Sequence, residues 1–275
     1  MRKLYKLIPA FLLIFSLIYI SADSLWNAKT AHSKKTVLPS NVTVFVHGYK
    51  GSAASFQSML ERFENTHHFG KKGLICRVTA DGRVLFDETA DFTAGGRLFV
   101  QVIFENNRAN FEDTSYWLSK ALYALHKTYK LEEVNLVGHS MGGIMSVKFL
   151  EEYTRKPGYP FINKLVVIGS PFSGLKDKSY LKRNVGAAAT DLMPHSAALQ
   201  KLFKQKHLFP SDVQVLAIAG AGDQLVSIDS ALSLEKIVPP RQFQKAIVSD
   251  QSITHSGLHE SEEVDQLIGR FLWPN

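Results

Sequence analysis

Short apolar runs alternate with segments of helical periodicity along most of the chain. Apolar and β-branched runs predict strands at residues 41–46, 98–104, 134–137, 163–168, 213–219 and 243–248. Apolar residues at helical spacing predict helices at residues 55–63, 111–129 and 261–273, with another directly after the strand at 134–137. Strands that alternate with helices are typical of a mostly parallel sheet covered on both faces. The predicted fold class is therefore α/β.

Two further strands are predicted in the β-rich stretch that precedes the strand at 98–104. They cover residues 73–78 and 83–86, and Asp81-Gly82 lies between them. An Asp-Gly pair favours a type I′ turn, because both central residues of that turn need positive φ. We therefore expect a hairpin with a type I′ turn.

The first 22 residues have the layout of a secretory signal peptide. A basic start is followed by an apolar run at residues 7–20 and then by small and polar residues. Ile20 is not the small residue expected three positions before a cleavage site after Ala22, so an uncleaved N-terminal membrane anchor is an alternative. Either reading predicts a protein outside the cytoplasm, secreted or at the cell surface. Residues 23–40 are polar and are expected to form a linker. Residues 41–275 are expected to form one domain.

Composition and charge narrow the class of protein. Hydrophobic residues make up 45% of the 275 positions and charged residues 21%, which suits one large globular domain. Cys76 is the single cysteine, so no intrachain disulfide can form. The formal net charge of +7 is spread along the chain and does not indicate a nucleic-acid partner. Basic residues cluster at 176–183 and 201–206. They either lie on solvated helix faces or attract the domain to an anionic membrane or cell-wall surface.

A serine stands between a predicted strand and a predicted helix, in the sequence Gly138-His139-Ser140-Met141-Gly142. Strand, tight turn and helix around G-x-S-x-G are the context of a nucleophile elbow. The turn places Ser140 at a helix N-terminus, where backbone N–H groups and the helix dipole favour a developing anion. Ser140 is the predicted nucleophile and the Met141 N–H a predicted oxyanion donor, whereas His139 is expected to be structural. A chance match in a glycine-rich loop is the alternative.

The strand at 41–46 runs directly into His47-Gly48-Tyr49. When a nucleophile elbow is present downstream, the loop after such a strand contributes a second oxyanion N–H. We expect the Tyr49 N–H to be that donor. An ordinary strand-to-helix turn is the alternative.

A serine nucleophile needs a base and an acid, which come in the chain order Ser, acid, His in this arrangement. Asp223 follows the strand at 213–219 in a loop with two glycines and is the predicted acid. His255 is the first histidine after the strand at 243–248 and is the predicted base, with His259 either supporting it or beginning the next helix. Three other carboxylates downstream of Ser140 are alternatives for the acid: Asp191, Asp229 and Asp250. His195 and His207 precede the predicted acid and break the order.

Residues 171–212 show no strand pattern. Their apolar residues predict one or two helices inserted over the strand ends as a cap, although a plain crossover helix with a long loop would give a similar pattern.

Five blocks occur in order within residues 36–273: FVHGYKGSAASF, VNLVGHSMGG, IGSPFSG, GDQLVSIDSALSL and HSGLHE. Together they resemble the α/β-hydrolase family of cell-surface hydrolases from Gram-positive bacteria. The resemblance implies an α/β-hydrolase fold and carboxylesterase-type activity on short acyl chains. By position it also assigns Ser140, Asp223 and His255 to the triad, and Tyr49 and Met141 to the oxyanion pair. Gln224 stands where the family commonly has glycine, which puts a larger side chain beside the acid.

The predicted function is therefore ester hydrolysis through an acyl-enzyme, with a small-molecule or lipid-like ester as substrate. Nothing in the sequence requires a metal or an organic cofactor. A lipase or an acyltransferase with the same triad is an alternative, as is a non-catalytic surface-binding protein on a hydrolase scaffold.

Overall fold

The computed structural model describes residues 38–39, 41–89 and 96–274. The predicted leader at 1–22 and nearly all of the predicted linker at 23–40 lie outside these residues. Within the described part of the chain, no helix is both long enough and apolar enough to cross a bilayer.

One sheet of eight strands forms the centre of the fold. The strands are β1 (Asn41–Val46), β2 (Lys71–Val78), β3 (Val84–Glu88), β4 (Arg97–Phe104), β5 (Glu133–His139), β6 (Phe161–Ile168), β7 (Gln214–Gly220) and β8 (Phe243–Val248). Their spatial order is β3-β2-β4-β1-β5-β6-β7-β8. Every neighbouring pair is parallel except β2 and β3, which are antiparallel. The predicted mostly parallel sheet is confirmed.

Eight helices accompany the sheet in the described residues. They are α1 (Gln57–Asn65), α2 (Phe111–Tyr129), α3 (Met141–Glu152), α4 (Lys178–Arg183), α5 (Ala187–Asp191), α6 (Ala197–Lys204), α7 (Ile228–Leu232) and α8 (Glu262–Leu272). Helix α2 has the predicted bounds. Its first residue is well defined because the side chain of Asn110, the N-cap residue, accepts the Asp113 N–H. Helix α1 begins two residues later than predicted, because residues 53–56 form a 3₁₀ turn capped by Ser52.

Two apolar clusters cover the two faces of the sheet. Val44 and Phe45 are consecutive in β1, yet Val44 belongs to one cluster and Phe45 to the other. Both side chains are fully buried. Successive side chains of a strand point to opposite faces, so a strand buried on both faces must be apolar at every position. This is the physical reason for the continuous apolar runs in the sequence.

The predicted hairpin forms, but its predicted turn type is wrong. Gly82 N donates to Thr79 O (2.8 Å) and Thr79 N donates to Arg83 O (2.9 Å). Gly82 has a φ of 79°, whereas Asp81 is not among the residues with positive φ. The Thr79 hydroxyl also accepts the Arg83 N–H (2.9 Å), and this bond closes a longer loop in place of a two-residue turn.

The insertion between β6 and β7 contains three short helices, α4, α5 and α6, where one or two were predicted. Helix α6 is fixed to the domain through Lys201, whose Nζ lies 3.2 Å from Glu112 of α2 and 3.5 Å from Glu152 of α3. Helix α5 is fixed through Asp191, which accepts the Phe111 N–H at the start of α2 (2.8 Å). These contacts attach the far side of the insertion to the helices beneath it.

A buried ion pair joins the C-terminal helix α8 to α1. The Asp265 side chain is 0% exposed, and its carboxylate receives the Arg62 guanidinium and the His67 ring nitrogen. Replacing Asp265 with alanine removes the nearer acidic partner of the partly buried Arg62 and leaves Glu260 at 3.6 Å. We therefore expect Asp265→Ala to lower the free energy of unfolding by about 3 kcal/mol. Urea denaturation measures this loss. Glu263→Ala, an exposed change on the same helix, should cost less than about 1 kcal/mol, and an equal loss in both variants would contradict the account.

Candidate active site

Ser140 occupies the turn between β5 and α3, with φ 56° and ψ −127°. This left-handed φ is costly for a residue with a Cβ and places the side chain at the open end of the sheet. The turn is possible because α3 packs against the end of β1. A Cβ on Gly142 would lie 2.1 Å from the Val46 carbonyl oxygen, so glycine is required there.

His255 and Asp223 are paired at the ends of neighbouring strands. Asp223 follows β7, His255 follows β8, and His255 Nδ1 lies 2.7 Å from Asp223 Oδ2. The other carboxylate oxygen of Asp223 accepts the N–H groups of Leu225 (2.8 Å) and Val226 (2.9 Å). The Asp223 side chain is 1% exposed. Its two oxygens are thus held in fixed directions, and Nε2 of His255 is left for exchange of a proton.

Ser140 and His255 line the same cavity, which has a volume of about 310 Å³. The carboxylates that the sequence left open are engaged elsewhere. Asp191 caps the start of α2, Asp250 accepts from Ser252 within its own turn, and Asp229 lies in the first turn of α7. Of the four candidate acids, Asp223 is the one that contacts His255. The structure therefore brings together the serine, histidine and aspartate that the sequence singled out.

The loop after β1 passes directly over the serine. A Cβ on Gly48 would lie 2.8 Å from Ser140 Cβ and 3.2 Å from the Met141 nitrogen, so only glycine allows this approach. Neither the Tyr49 N–H nor the Met141 N–H donates to a backbone carbonyl within the described chain. Met141 begins α3, where the dipole adds partial positive charge. The Met141 N–H thus lies beside the serine, and Tyr49, next to Gly48, lines the same cavity as Ser140.

His47 and Asn107, for which the sequence predicted no role, hold this loop. His47 Nδ1 donates to Gly48 O (2.8 Å), while its Nε2 accepts the Phe104 N–H (3.1 Å). Asn107 accepts the Lys50 N–H at its carbonyl (2.8 Å) and donates its side-chain amide to Gly51 O (2.8 Å). His47 is neutral in this arrangement, in agreement with burial, which lowers its pKa. The His47-Gly48 motif in the sequence marked the position of His47, but no sequence pattern pointed to Asn107.

His139 supports the predicted base rather than the nucleophile. Its Nε2 donates to the His255 carbonyl (3.0 Å), and its ring centroid lies 4.7 Å from that of His255. Burial lowers the pKa of His139 well below its ordinary value, and the neighbouring His255 adds to the effect. His259 packs edge-on against His139, and its Nδ1 bonds Glu260 (3.0 Å). His139 and His259 both line the cavity, as parts of its wall.

The cap covers one side of the cavity. Leu175, Tyr180 and Leu192 come from the insertion, and Leu225 from the loop after Asp223. Among all the residues that the structure describes, no group of three or more His, Cys, Asp or Glu side chains is arranged to hold a metal ion. The chemistry that Ser140, His255 and Asp223 can carry out is nucleophilic attack with transfer of a proton.

Comparisons with known proteins place this arrangement in context. Residues 30–275 match the model of a family described as an alpha/beta hydrolase of unknown function (DUF915). The lin2722 product of Listeria innocua superimposes with a TM-score of 0.73 at 25% identity, covering 87% of this chain and 95% of that one. No curated protein matches this chain in sequence.

Two less similar structures share the fold. A protein described as a candidate cell surface hydrolase, from Lactobacillus plantarum WCFS1, has a TM-score of 0.65 and 22% identity over 84% of this chain and 91% of that one. The esterase Pf2001 of Pyrococcus furiosus has a TM-score of 0.52 and 17% identity over 85% and 83% of the two chains. The likeness therefore extends over the whole domain and is not confined to one motif.

Two of the buried histidines with a lowered pKa, His47 and His139, predict how stability depends on pH. In the unfolded chain, His47 and His139 take up protons near pH 6.5, but their lowered pKa values keep them neutral in the folded protein. The unfolded state therefore binds more protons, and the free energy of unfolding should fall below pH 6.5 by up to about 1.4 kcal/mol per pH unit for each histidine. Urea denaturation at pH 7, 6 and 5 measures the slope. His47→Gln should reduce this slope by up to the contribution of one histidine. The same slope of unfolding free energy against pH in the variant and the native chain would contradict this.

Proposed function

We propose that this chain, which belongs to the α/β-hydrolase family DUF915, is a serine carboxylesterase that cleaves esters of short acyl chains. Membership of the family and the likeness to hydrolase structures confirm the predicted α/β-hydrolase fold and agree with hydrolytic activity. The triad and the ester substrate are our proposal. The observation that carries it is Ser140, in a strained strand-to-helix turn, facing the same cavity as a histidine already paired with a buried aspartate.

In the proposed mechanism, Ser140 Oγ attacks the acyl carbon while His255 Nε2 takes its proton. Asp223 holds the imidazole in the required tautomer and stabilises the imidazolium. The tetrahedral oxyanion is bound by the N–H groups of Tyr49 and Met141, and one such donor typically contributes about 100-fold or more to the rate.

Collapse of the tetrahedral intermediate breaks the bond to the alcohol, which leaves with the proton from His255. Water then adds to the acyl-enzyme with His255 as base, and a second collapse releases the acid and restores Ser140. All proton transfers pass through one imidazole, so no cofactor enters the proposed cycle.

The size of the cavity supports a short acyl chain. Its volume of about 310 Å³ is at the lower end of ligand pockets, and this space must hold both arms of the ester. Leu175, Leu192 and Leu225 provide apolar contact for a few carbons. A lipase would need room for a long chain, which the cap could offer only by moving away from α2 and α3.

We also propose that the chain acts outside the cytoplasm, secreted or anchored at the cell surface. The apolar stretch after a basic start at residues 1–22 supports this. The basic surface of the domain is compatible with an anionic membrane or wall. Recovery of the full chain in the cytoplasmic fraction would contradict the proposed location.

Substitution of the proposed triad tests the mechanism. We expect Ser140→Ala to abolish hydrolysis of 4-nitrophenyl acetate, and Asp223→Asn to lower kcat about 10³- to 10⁴-fold because the imidazole loses its correct tautomer. Ser256→Ala is the matched control, since Ser256 lines the same cavity without being part of the triad, and should retain activity within about threefold. Equal losses in Ser140→Ala and Ser256→Ala would argue against Ser140 as nucleophile.

The acyl preference is tested with a series of 4-nitrophenyl esters from acetate to palmitate. We expect kcat/KM to peak at two to four carbons and to fall by at least about 100-fold at sixteen, because the small cavity cannot bury the longer chain. Activity that rises with chain length at a lipid–water interface would favour the lipase alternative. Ester formation with added glycerol in preference to hydrolysis would favour an acyltransferase.

A further inference from the structure

The wall of the catalytic cavity carries an uncompensated positive charge. Among the described residues that line it, Lys50 is the one Lys or Arg, and no Asp or Glu lines the cavity. Asp223 lies behind His255 and is 1% exposed, so it does not present its charge to a ligand directly. The cavity is thus cationic on the side of the loop after β1.

Lys50 is held at this place in spite of an unfavourable backbone conformation. Its φ is 61°, a left-handed value that glycine or asparagine adopts more readily. Its backbone N–H is bonded to Asn107 O (2.8 Å). A strained residue that the surroundings fix so firmly is typical of a binding or catalytic loop.

The ammonium of Lys50 is directed by the cap. Its Nζ donates to Oδ1 of Asn184, which follows α4 and is 7% exposed. The Asn184 amide nitrogen donates to the Tyr180 carbonyl (2.8 Å), so the orientation of the side-chain amide is fixed with its oxygen toward Lys50. An ammonium has three N–H donors, and Asn184 occupies one of them. The ammonium also lies 5.3 Å from the centroid of the Tyr49 ring. Its other N–H donors are shared between this ring and a ligand.

The surroundings of Lys50 add polar groups and positive charge. The rings of Tyr49 and Tyr180 line the same cavity, and their hydroxyls are further potential donors. Arg108 is close enough to Tyr180 for its charge to oppose the rise that burial causes in the pKa of Tyr180. The insertion at 171–212 contains seven Lys and Arg residues and three Asp residues, which increases the attraction for an anion at longer range.

The remaining wall has the opposite character. Leu175, Leu192 and Leu225 provide an apolar surface. A neutral ester with two hydrocarbon arms would use this surface but would leave the ammonium of Lys50 without a counter-charge. An ester with one apolar arm and one anionic arm would use both.

We propose that the substrate is an ester with one arm that carries an anionic oxygen group, a carboxylate or a phosphate, and that Lys50 binds this group. The proposal deepens the proposed esterase function and rests on it. Lys50 then determines specificity, whereas Ser140, His255 and Asp223 carry out the same chemistry on every ester.

Two matched pairs of esters test the proposal, one for each arm. The acyl arm is tested with 4-nitrophenyl hydrogen fumarate, whose trans carboxylate cannot attack its own ester, against its neutral methyl ester. The alcohol arm is tested with 3-acetoxybenzoate against its methyl ester, followed by pH-stat. We expect kcat/KM for the anionic member of at least one pair to exceed that of the neutral member by about tenfold. The preference should weaken as ionic strength rises, because Lys50 is exposed to solvent.

Substitutions locate the preference at Lys50. Lys50→Met should abolish it and Lys50→Arg should retain it, and both place a side chain of similar length at the same left-handed position. The ratio within each pair is compared, so a general loss of activity in the altered loop cancels. Lys127→Met on α2 removes the same charge outside the cavity and should leave the ratio unchanged.

The possible results separate the two proposals. Cleavage of both members of each pair at equal rates, or a preference that survives Lys50→Met, would overturn the substrate class and leave the esterase function standing. A preference lost equally in Lys127→Met would show that net charge, and not Lys50, is responsible, and would also overturn it. Failure to cleave any of the four esters would contradict the proposed function itself.

Discussion

The approach of α3 to the end of β1 is the contact on which the site depends. With Gly142 against the Val46 carbonyl, the N-terminus of α3 meets the carboxyl end of a central strand, and Ser140 comes to lie beneath the loop at Gly48. The positive φ of Ser140 costs on the order of 1–3 kcal/mol. Burial of α3 along most of its length offsets that cost. A larger residue at position 142 would separate helix from strand and move Ser140 and Met141 away from the loop at Gly48 and Tyr49.

The surroundings of each histidine near the site determine whether it supports the structure or can exchange a proton. His47 and His139 are buried and neutral, and each donates to a backbone carbonyl that fixes part of the site. His255 is the histidine paired with a buried carboxylate, which stabilises the positive charge that the proposed mechanism creates on it. Supporting histidines that carried charge would repel that imidazolium. Burial also lowers the pKa of His259, so the rings of His139, His255 and His259 pack together without opposing the reaction.

Features with a local cause were predictable from the sequence. The bounds of α2 followed from its apolar period, and the positions of Ser140, Asp223 and His255 followed from chain order and from the ends of apolar strands. The turn after β2 was not predicted correctly, because the Thr79 hydroxyl competes for the Arg83 N–H. Asn107 and Asn184 were missed altogether, since each acts on a loop more than 50 positions away and belongs to no periodic pattern.

Covalent labelling tests the central claim, that Ser140 is an activated nucleophile, most directly. The purified domain is treated with a fluorophosphonate, and the adduct is located by intact mass and peptide mapping. The account predicts one adduct per chain, on Ser140, formed far more slowly in His255→Ala because the base that activates the serine is gone. A chain that stays unlabelled, or an adduct on another serine such as Ser256 or Ser55, would contradict it.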